Sequence, residues 1–224
     1  MTDPGDLAEF MEFLEFAHGK VLLPIPDRRQ DTSFSCGPAC LEACASYFGI
    51  EVPEATLREW ADADPDEGTE ADDLAEAARA LGLEADVRTG MTVEDVHACL
   101  MAGCPVIVGL QAYGAAAEEE AGDSGHYEVA MGYDPETGTV TLQDPARDPE
   151  AGRTEMPAAK FEDVWKLADE AGNITERLGI VLQSPAPAGA GPAVSAKIAK
   201  LRREGKPADQ AAAIAYSMQR RGEL

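Results

Sequence analysis

The chain has 224 residues, an apolar fraction of 45% and a formal net charge of −24. This length fits one domain of ordinary size with an appendage, and the negative charge excludes a general nucleic-acid binder, because such proteins gain affinity by neutralising phosphates. No apolar run approaches the ~18 residues of a membrane-spanning helix. Residues 1–20 are acidic and lack the basic start of a secretory signal, so a cytoplasmic location is expected.

The cysteines number five, at positions 36, 40, 44, 99 and 104. An odd count without an export signal favours free thiols over a disulfide framework. No pair has zinc-finger spacing with a matching pair downstream, so neither a metal nor another cofactor is expected. We interpret every cysteine except Cys36 as a core residue.

The first half of the chain has the apolar periodicity of helices. Two capping boxes, Thr69 with Asp72 and Thr92 with Asp95, mark two helix starts, and Gly49 supplies a helix stop. The sequence predicts helices at residues 1–20, 37–47, 53–61, 69–82 and 92–101.

The second half changes to short β-branched runs, which favour strands. Residues 105–111 predict a buried strand, and residues 126–133 and 139–144 predict an antiparallel hairpin across the turn sequence DPETG. A helix at 161–169 and a closing strand at 177–183 follow. Helices followed by strands indicate an α+β fold rather than alternating βαβ units.

The C-terminal part has a different composition. Residues 184–195 form a Pro/Ala/Gly linker, which divides the chain into a domain at 1–183 and a basic helical tail at 196–224. We expect the tail either to dock on the body or to bind a protein partner. Residues 114–125 form an acidic loop, either a solvated linker or a mobile rim over a cleft.

Cys36 stands where a helix begins. The positive end of the helix dipole and the unpaired N–H groups of the first turn both stabilise a thiolate, the nucleophilic form of cysteine. The N–H of Cys36 is free to face a developing oxyanion. Gln30, six residues earlier on an extended segment, can aim its amide at the same point as a second donor.

A cysteine nucleophile needs a base and a group that orients the base. His18 and His97 lie in predicted helices and are interpreted as structural or solvated, whereas His126 opens a strand directly after the acidic loop. If Tyr133 pairs with Thr139 across the turn, Asp144 lies diagonal to His126. A shift of two residues places it directly opposite, so both registers put the two side chains on one face. A bulge would break this inference.

Several segments in order resemble a known family: QDTSFSCGPACLEACASYFGI, GTEADDLAEAARALGL, CPVIVGL, GHYEVAMGYD and VTLQDPA. Over residues 22–183 the chain is similar to bacteriocin-processing cysteine peptidases of the papain-like clan, which cleave double-glycine leader peptides. The resemblance implies a papain-like α+β fold, with Cys36 as nucleophile, His126 as general acid and base, Asp144 as the orienting residue and Gln30 as the oxyanion donor. It also implies a peptide or protein substrate.

Two other readings stay open at this point. A papain-fold module could bind a peptide without cutting it, and an amidase or transglutaminase-like enzyme would use the same residues on side-chain amides. The sequence favours the peptidase over the binding module because all four residues are present. It does not separate the peptidase from the amidase.

Overall fold

A computed structural model describes residues 19–111, 125–146, 152–168 and 173–184, together with Lys197, Lys200, Leu201 and Met218. The predicted helix at 1–20, most of the acidic loop, the linker and most of the tail lie outside these residues. Within the described part of the chain, no helix combines the length and apolarity that crossing a membrane requires.

Five helices lie in the described residues. They are α1 Cys36–Tyr47, α2 Glu54–Trp60, α3 Ala71–Ala80, α4 Val93–Met101 and α5 Ala158–Val164. The first begins one residue earlier than predicted, at Cys36 itself, and Gly49 follows it with a φ of 83°. That left-handed conformation costs glycine nothing, so the predicted helix stop is confirmed.

One of the two predicted capping boxes forms. The Thr92 hydroxyl accepts from the N–H of Asp95, and the Asp95 carboxylate accepts in return from the N–H of Thr92. The box of Thr69 with Asp72 was wrong, because α3 starts at Ala71 with no side-chain cap. Gly68, at a φ of 81°, pairs with Asp64 just before, and this turn delays the helix by two residues.

Nine strands form two antiparallel sheets among the described residues. The strands are β1 Val21–Leu22, β2 Glu84–Arg88, β3 Val106–Gln111, β4 Gly125–Asp134, β5 Thr139–Gln143, β6 Arg153–Pro157, β7 Lys166–Ala168, β8 Ile174–Glu176 and β9 Gly179–Gln183. The larger sheet has the order β2-β9-β3-β4-β5-β6, with β1 also paired to β4, and β7 pairs with β8. The predicted α+β class is therefore confirmed.

The hairpin of β4 and β5 contains a bulge. Tyr133 pairs with Val140 rather than with Thr139, so the predicted pairing at the turn was wrong by one residue. The register then shifts between Ala130 and Gly132, and beyond the shift Val129 pairs with Gln143. This shift restores the predicted diagonal register at the end of the hairpin that carries His126.

The predicted helix at 161–169 was wrong after Val164. The Trp165 indole N–H donates to the Leu178 carbonyl at 2.8 Å, and the Trp165 carbonyl accepts from the N–H of Arg177 at 2.9 Å. These two bonds draw the chain into β7, which pairs with β8 instead of continuing α5. Strands β1, β2, β6, β7 and β8 were not predicted, because they are short or largely exposed.

The core lies between α1 and the centre of the larger sheet. The side chains of Cys40, Leu41 and Cys44 on α1 are fully buried, as are those of Val106, Ile107, Val129 and Ile180 on the central strands. Cys104 is buried, as predicted, whereas Cys99 is only partly buried. His97 is buried too, and its Nε2 lies 2.7 Å from the Gly19 carbonyl oxygen. Its predicted structural role is confirmed.

Leu167 on β7 packs directly over Gly109 on β3. A Cβ atom added to Gly109 would lie 2.7 Å from the Leu167 Cγ, which is closer than carbon atoms approach. We expect Gly109→Ala to lower the free energy of unfolding by about 1–3 kcal/mol, because Leu167 or the strand must move. Chemical denaturation measures this loss.

A double-mutant cycle with Leu167→Ala tests the cause. If the clash is responsible, the second substitution removes most of the cost of the first, and the two effects are not additive. Additive losses would contradict the steric explanation.

Candidate active site

Cys36 is the first residue of α1 and is partly exposed, in contrast to the fully buried Cys40 and Cys44 four and eight residues later. Ser35 precedes it as the N-cap residue and forms no side-chain cap. All five cysteines are free thiols. The accessible thiol therefore stands at the positive end of a helix of 12 residues.

A buried polar cluster fixes the turn that leads into Cys36. The Ser35 hydroxyl oxygen accepts from the Thr32 hydroxyl at 2.8 Å and from the Thr32 N–H at 3.1 Å. Glu54, at the start of α2, is 4% exposed and accepts from the N–H of Asp31 at 2.8 Å. Burial raises the pKa of Glu54, while hydrogen bonds with Ser35 and the Asp31 N–H act to lower it.

Glu54 was not predicted as part of the site. An acidic residue in the first turn of a helix is the common helix-dipole pattern, so nothing in the sequence distinguishes it from a solvated one.

His126 and Asp144 meet as the sequence predicts. The Nε2 atom of His126 lies 2.8 Å from Oδ1 of Asp144, and the two side chains are 15% and 7% exposed. The same Oδ1 accepts from the N–H of Ala146 at 2.9 Å, and the N–H of Asp144 donates to the Gly152 carbonyl at 2.7 Å. Because Asp144 is held on both its backbone and its side chain, it fixes the orientation of the ring.

The same imidazole interacts with Cys36. Burial acts to lower the pKa of His126, but side-chain hydrogen bonds to Asp144 and Cys36 and the charges of these two groups outweigh it, and they raise the pKa from 6.5 to about 10. Since Nε2 faces Asp144, Nδ1 is the nitrogen left for the sulfur. The Cys36 sulfur, the His126 imidazole and the Asp144 carboxylate thus form one continuous series of contacts.

Gln30 lies next to the segment that carries Asp144. Its N–H donates to the Pro145 carbonyl at 3.0 Å, which ties it to the residue after Asp144. Its side-chain Nε2 donates to the Thr32 carbonyl at 2.7 Å. An amide nitrogen carries two hydrogens, so one remains for another acceptor, and the oxyanion role of Gln30 stays a prediction.

Cys40 is the other thiol near the site. Its Sγ lies 3.3 Å from the Tyr127 carbonyl, and burial, followed by the charges of Cys36 and Cys44, raises its pKa well above the ordinary value. A buried thiol that resists ionisation is a poor nucleophile. The predicted core role of Cys40 therefore agrees with its burial.

Glu128 is a further acidic residue near His126 and Asp144, and its position was not predicted from the sequence. Among the described residues, ligand atoms of His126, Glu128 and Asp144 lie within 4.8 Å of one another, which is close enough for a metal ion. However, the short bond of His126 to Asp144 already uses two of these atoms. The arrangement is therefore that of a hydrogen-bonded dyad with a second carboxyl group beside it.

The sequence pattern of the Peptidase_C39 like family matches residues 22–172. The chain belongs to this family of cysteine peptidases. No curated protein matches the chain.

Three solved structures illustrate the similarity of this C39-like chain to known peptidases. A double glycine motif protease from an AMS/PCAT transporter, in complex with its leader peptide, is 20% identical, with a TM-score of 0.53 over 74% of this chain and 97% of that one. A Bacillus anthracis protein assigned as a C39-like peptidase is also 20% identical, with a TM-score of 0.56 over 75% and 99%.

The third structure is the peptidase domain of Streptococcus ComA, a bi-functional ABC transporter of a quorum sensing pathway. It is 25% identical, with a TM-score of 0.49 over 71% of this chain and 98% of that domain. The two matches above establish the fold, and the predicted papain-like architecture is confirmed.

Thiol alkylation tests the contact between Cys36 and His126. The ring keeps its proton up to a pH of about 10, so a positive charge stands beside the sulfur across the neutral range. We expect iodoacetamide to modify Cys36 readily at pH 6, where an ordinary thiol of pKa about 8.5 reacts slowly. His126→Ala should slow this reaction by about tenfold or more at pH 6, measured by mass spectrometry.

Cys99 provides the internal control. It is partly exposed, and burial raises its pKa, so it should react slowly at pH 6 in both proteins. Equal rates at Cys36 with and without the imidazole would exclude the contact.

Proposed function

We propose that the chain is a cysteine peptidase in which Cys36 is the nucleophile, His126 the general acid and base, and Asp144 the group that orients His126. One observation carries the proposal. The imidazole of His126 interacts with the Cys36 sulfur and also lies 2.8 Å from the Asp144 carboxylate. Membership of a cysteine peptidase family supports the same roles.

In the first half of the reaction, the proton of Cys36 already lies on His126, and the thiolate attacks the carbonyl carbon of a peptide bond. The carbonyl oxygen becomes an oxyanion, which accepts from the Cys36 N–H and from the remaining amide hydrogen of Gln30. The C–N bond then breaks, and His126 donates its proton to the leaving amine. A thioester on Cys36 and a free amine remain.

In the second half, water replaces the amine. His126 removes a proton from the water, the hydroxide adds to the thioester carbonyl, and the C–S bond breaks to release a carboxylate and the thiol. Asp144 stays ionised throughout and keeps Nε2 of the ring protonated. No step needs a cofactor.

For the substrate, we propose a peptide with a leader sequence of the Gly-Gly type, and the chain would cleave the peptide bond after that leader. The protease from the AMS/PCAT transporter is a double glycine motif protease and was crystallised with a leader peptide. A Gly-Gly end has no side chains, so its backbone can approach Cys36 closely. This assignment comes by similarity and is tested separately from the chemistry.

The charge around the site favours basic peptides. Burial raises the pKa of Tyr127, and neighbouring groups, among them Cys36 and the carboxylates of Glu70 and Asp72, raise it further, so acidic side chains lie near the residue next to His126. The whole chain also carries a net charge of −24. Such a field attracts cationic ligands and repels anionic ones.

We further propose that the peptidase domain ends near residue 183 and that residues 196–224 form a separate tail. Strand β9 ends at Gln183, and the family match ends at residue 172. Leu201 is only 7% exposed, which favours a docked tail over one that waits for a partner.

Peptide hydrolysis tests the roles of Cys36 and Gln30. Cys36→Ala should abolish cleavage, because the nucleophile is lost, and Gln30→Glu should lower kcat by about 10²–10³ because it keeps the shape but removes the donor hydrogens. A digest of Gly-Gly-containing peptides followed by mass spectrometry measures both.

Gln183→Glu is the matched control. Gln183 is an exposed residue at the end of β9, so the same substitution there should leave kcat unchanged. Peptide binding without cleavage by the native chain would indicate a binding module, and loss of ammonia from glutamine side chains would indicate an amidase.

Salt dependence tests the electrostatic preference. A peptide with Lys or Arg near the Gly-Gly site should have a higher kcat/KM than its Asp or Glu counterpart at low salt. The difference should shrink as the Debye length falls from about 30 Å at 0.01 M to about 3 Å at 1 M salt. A preference that is absent at low salt would show that the acidic surroundings do not select substrates.

A further inference from the structure

Glu128 lies two residues after His126 on β4, so both side chains project from the same face of the strand. Glu128 pairs with Val108 on β3, in the interior of the larger sheet, and only 9% of the residue is exposed. A carboxyl group in the middle of a buried strand is rare unless it has a specific polar role.

The carboxyl group of Glu128 faces His126 and Asp144. One of its carboxyl oxygens lies within 4.8 Å of both a ring nitrogen of His126 and a carboxylate oxygen of Asp144. From the side of α1, Cys40 lies close enough that an ionised Glu128 would raise the pKa of that thiol. The ionisable groups near Glu128 are therefore His126 on β4, Cys40 on α1 and Asp144 at the end of β5.

Two carboxyl groups this close do not both ionise readily, because like charges in a shared buried site repel. Asp144 is the one that keeps its charge, since its Oδ1 accepts from the His126 ring and from the N–H of Ala146. Hydrogen bonds to a charged carboxylate favour that form. The proton therefore belongs on Glu128.

We propose that Glu128 is a positioning residue, which carries a proton at neutral pH and donates it in a hydrogen bond to the Asp144 carboxylate. In this arrangement Asp144 is held from one side by Ala146 and from the other by Glu128, and it holds the ring of His126 toward Cys36. In this role Glu128 acts through Asp144 rather than on the reacting atoms. The inference deepens the proposed function and rests on it for the roles of Cys36 and His126.

Two substitutions at the same position test the inference. Glu128→Gln keeps the shape and a donor N–H, whereas Glu128→Leu keeps the bulk and removes the donor. We expect Glu128→Gln to retain the alkylation rate of Cys36 at pH 6 within about twofold, and Glu128→Leu to lower it by about tenfold, as expected for loss of one orienting hydrogen bond. Glu155→Leu, on the exposed face of β6, is the matched control.

The His126 ring gives an independent readout, because NMR follows its titration in a variant that keeps the shape of the site. If Glu128 is already neutral, Glu128→Gln leaves the titration unmoved. If Glu128 is ionised, the loss of a negative charge within 4.8 Å of the ring lowers the pKa of His126 by about one unit or more. That downward shift would overturn the proposal, and so would a Glu128→Leu variant with native reactivity.

A purely structural role gives a different pattern. Both variants would then lower the melting temperature while leaving the pH dependence of Cys36 alkylation unchanged, and this result also overturns the proposal. Alkylation and ring titration need no substrate. Failure of the native chain to cleave any peptide would therefore reject the proposed function and leave the role of Glu128 standing.

Discussion

The hydrogen bond between His126 and Asp144 is the constraint on which the site depends. It joins His126, the second residue of β4, to Asp144, the residue just after β5, and both side chains are largely shielded from water. Burial alone would lower the pKa of the ring, but the acid and the sulfur reverse that effect. Without the acid, the imidazole would lose both its charge and its orientation toward α1.

The rest of the fold holds the two ends of this contact in place. Helix α1 is buried along most of its length, so Cys36 is the residue at which it reaches the surface of the site. The turn before it is fixed by Ser35 and by the buried carboxylate of Glu54. Gln30 connects the segment before Cys36 to the segment that carries Asp144, because its N–H donates to the carbonyl of Pro145, the residue after Asp144. The site is therefore assembled from three separate segments of chain that share a few buried polar bonds.

Much of this could be predicted from the sequence, and the reasons differ between elements. Helices α1 and α4 follow from strong local signals, namely a glycine stop and a reciprocal capping box, and the strands β3, β4 and β5 follow from apolar runs around a turn. The hairpin pattern also brings His126 near Asp144, but their common face depends on the bulge after Ala130, which offsets the one-residue error in the predicted turn pairing. The helix signals, the apolar runs and the turn are all local. These are properties of neighbouring residues, which a single sequence contains.

The parts that were not predicted depend on distant partners. Strands β2 and β6 lie at the sheet edges and are stabilised by pairing with β9 and β5. Each is only five residues long with alternate residues exposed, which is a weak signal in a sequence. The end of α5 is decided by Trp165, whose bonds go to residues 177 and 178 rather than to its own helix. The roles of Glu54 and Glu128 come from burial, which the sequence around each residue does not reveal.

The bulge near Met131 has a practical consequence for the hairpin. It separates two pairing registers, one next to the DPETG turn and one next to the imidazole, so the loop end and the reactive end are aligned independently. A guest sequence inserted at the tip of the hairpin, such as an epitope or a fluorescent reporter, would lie in an exposed loop. Asp144 would keep its position, because its own N–H donates to the Gly152 carbonyl. The tip of this ribbon is thus a natural attachment point for labels that must not disturb the contact of His126 with Asp144.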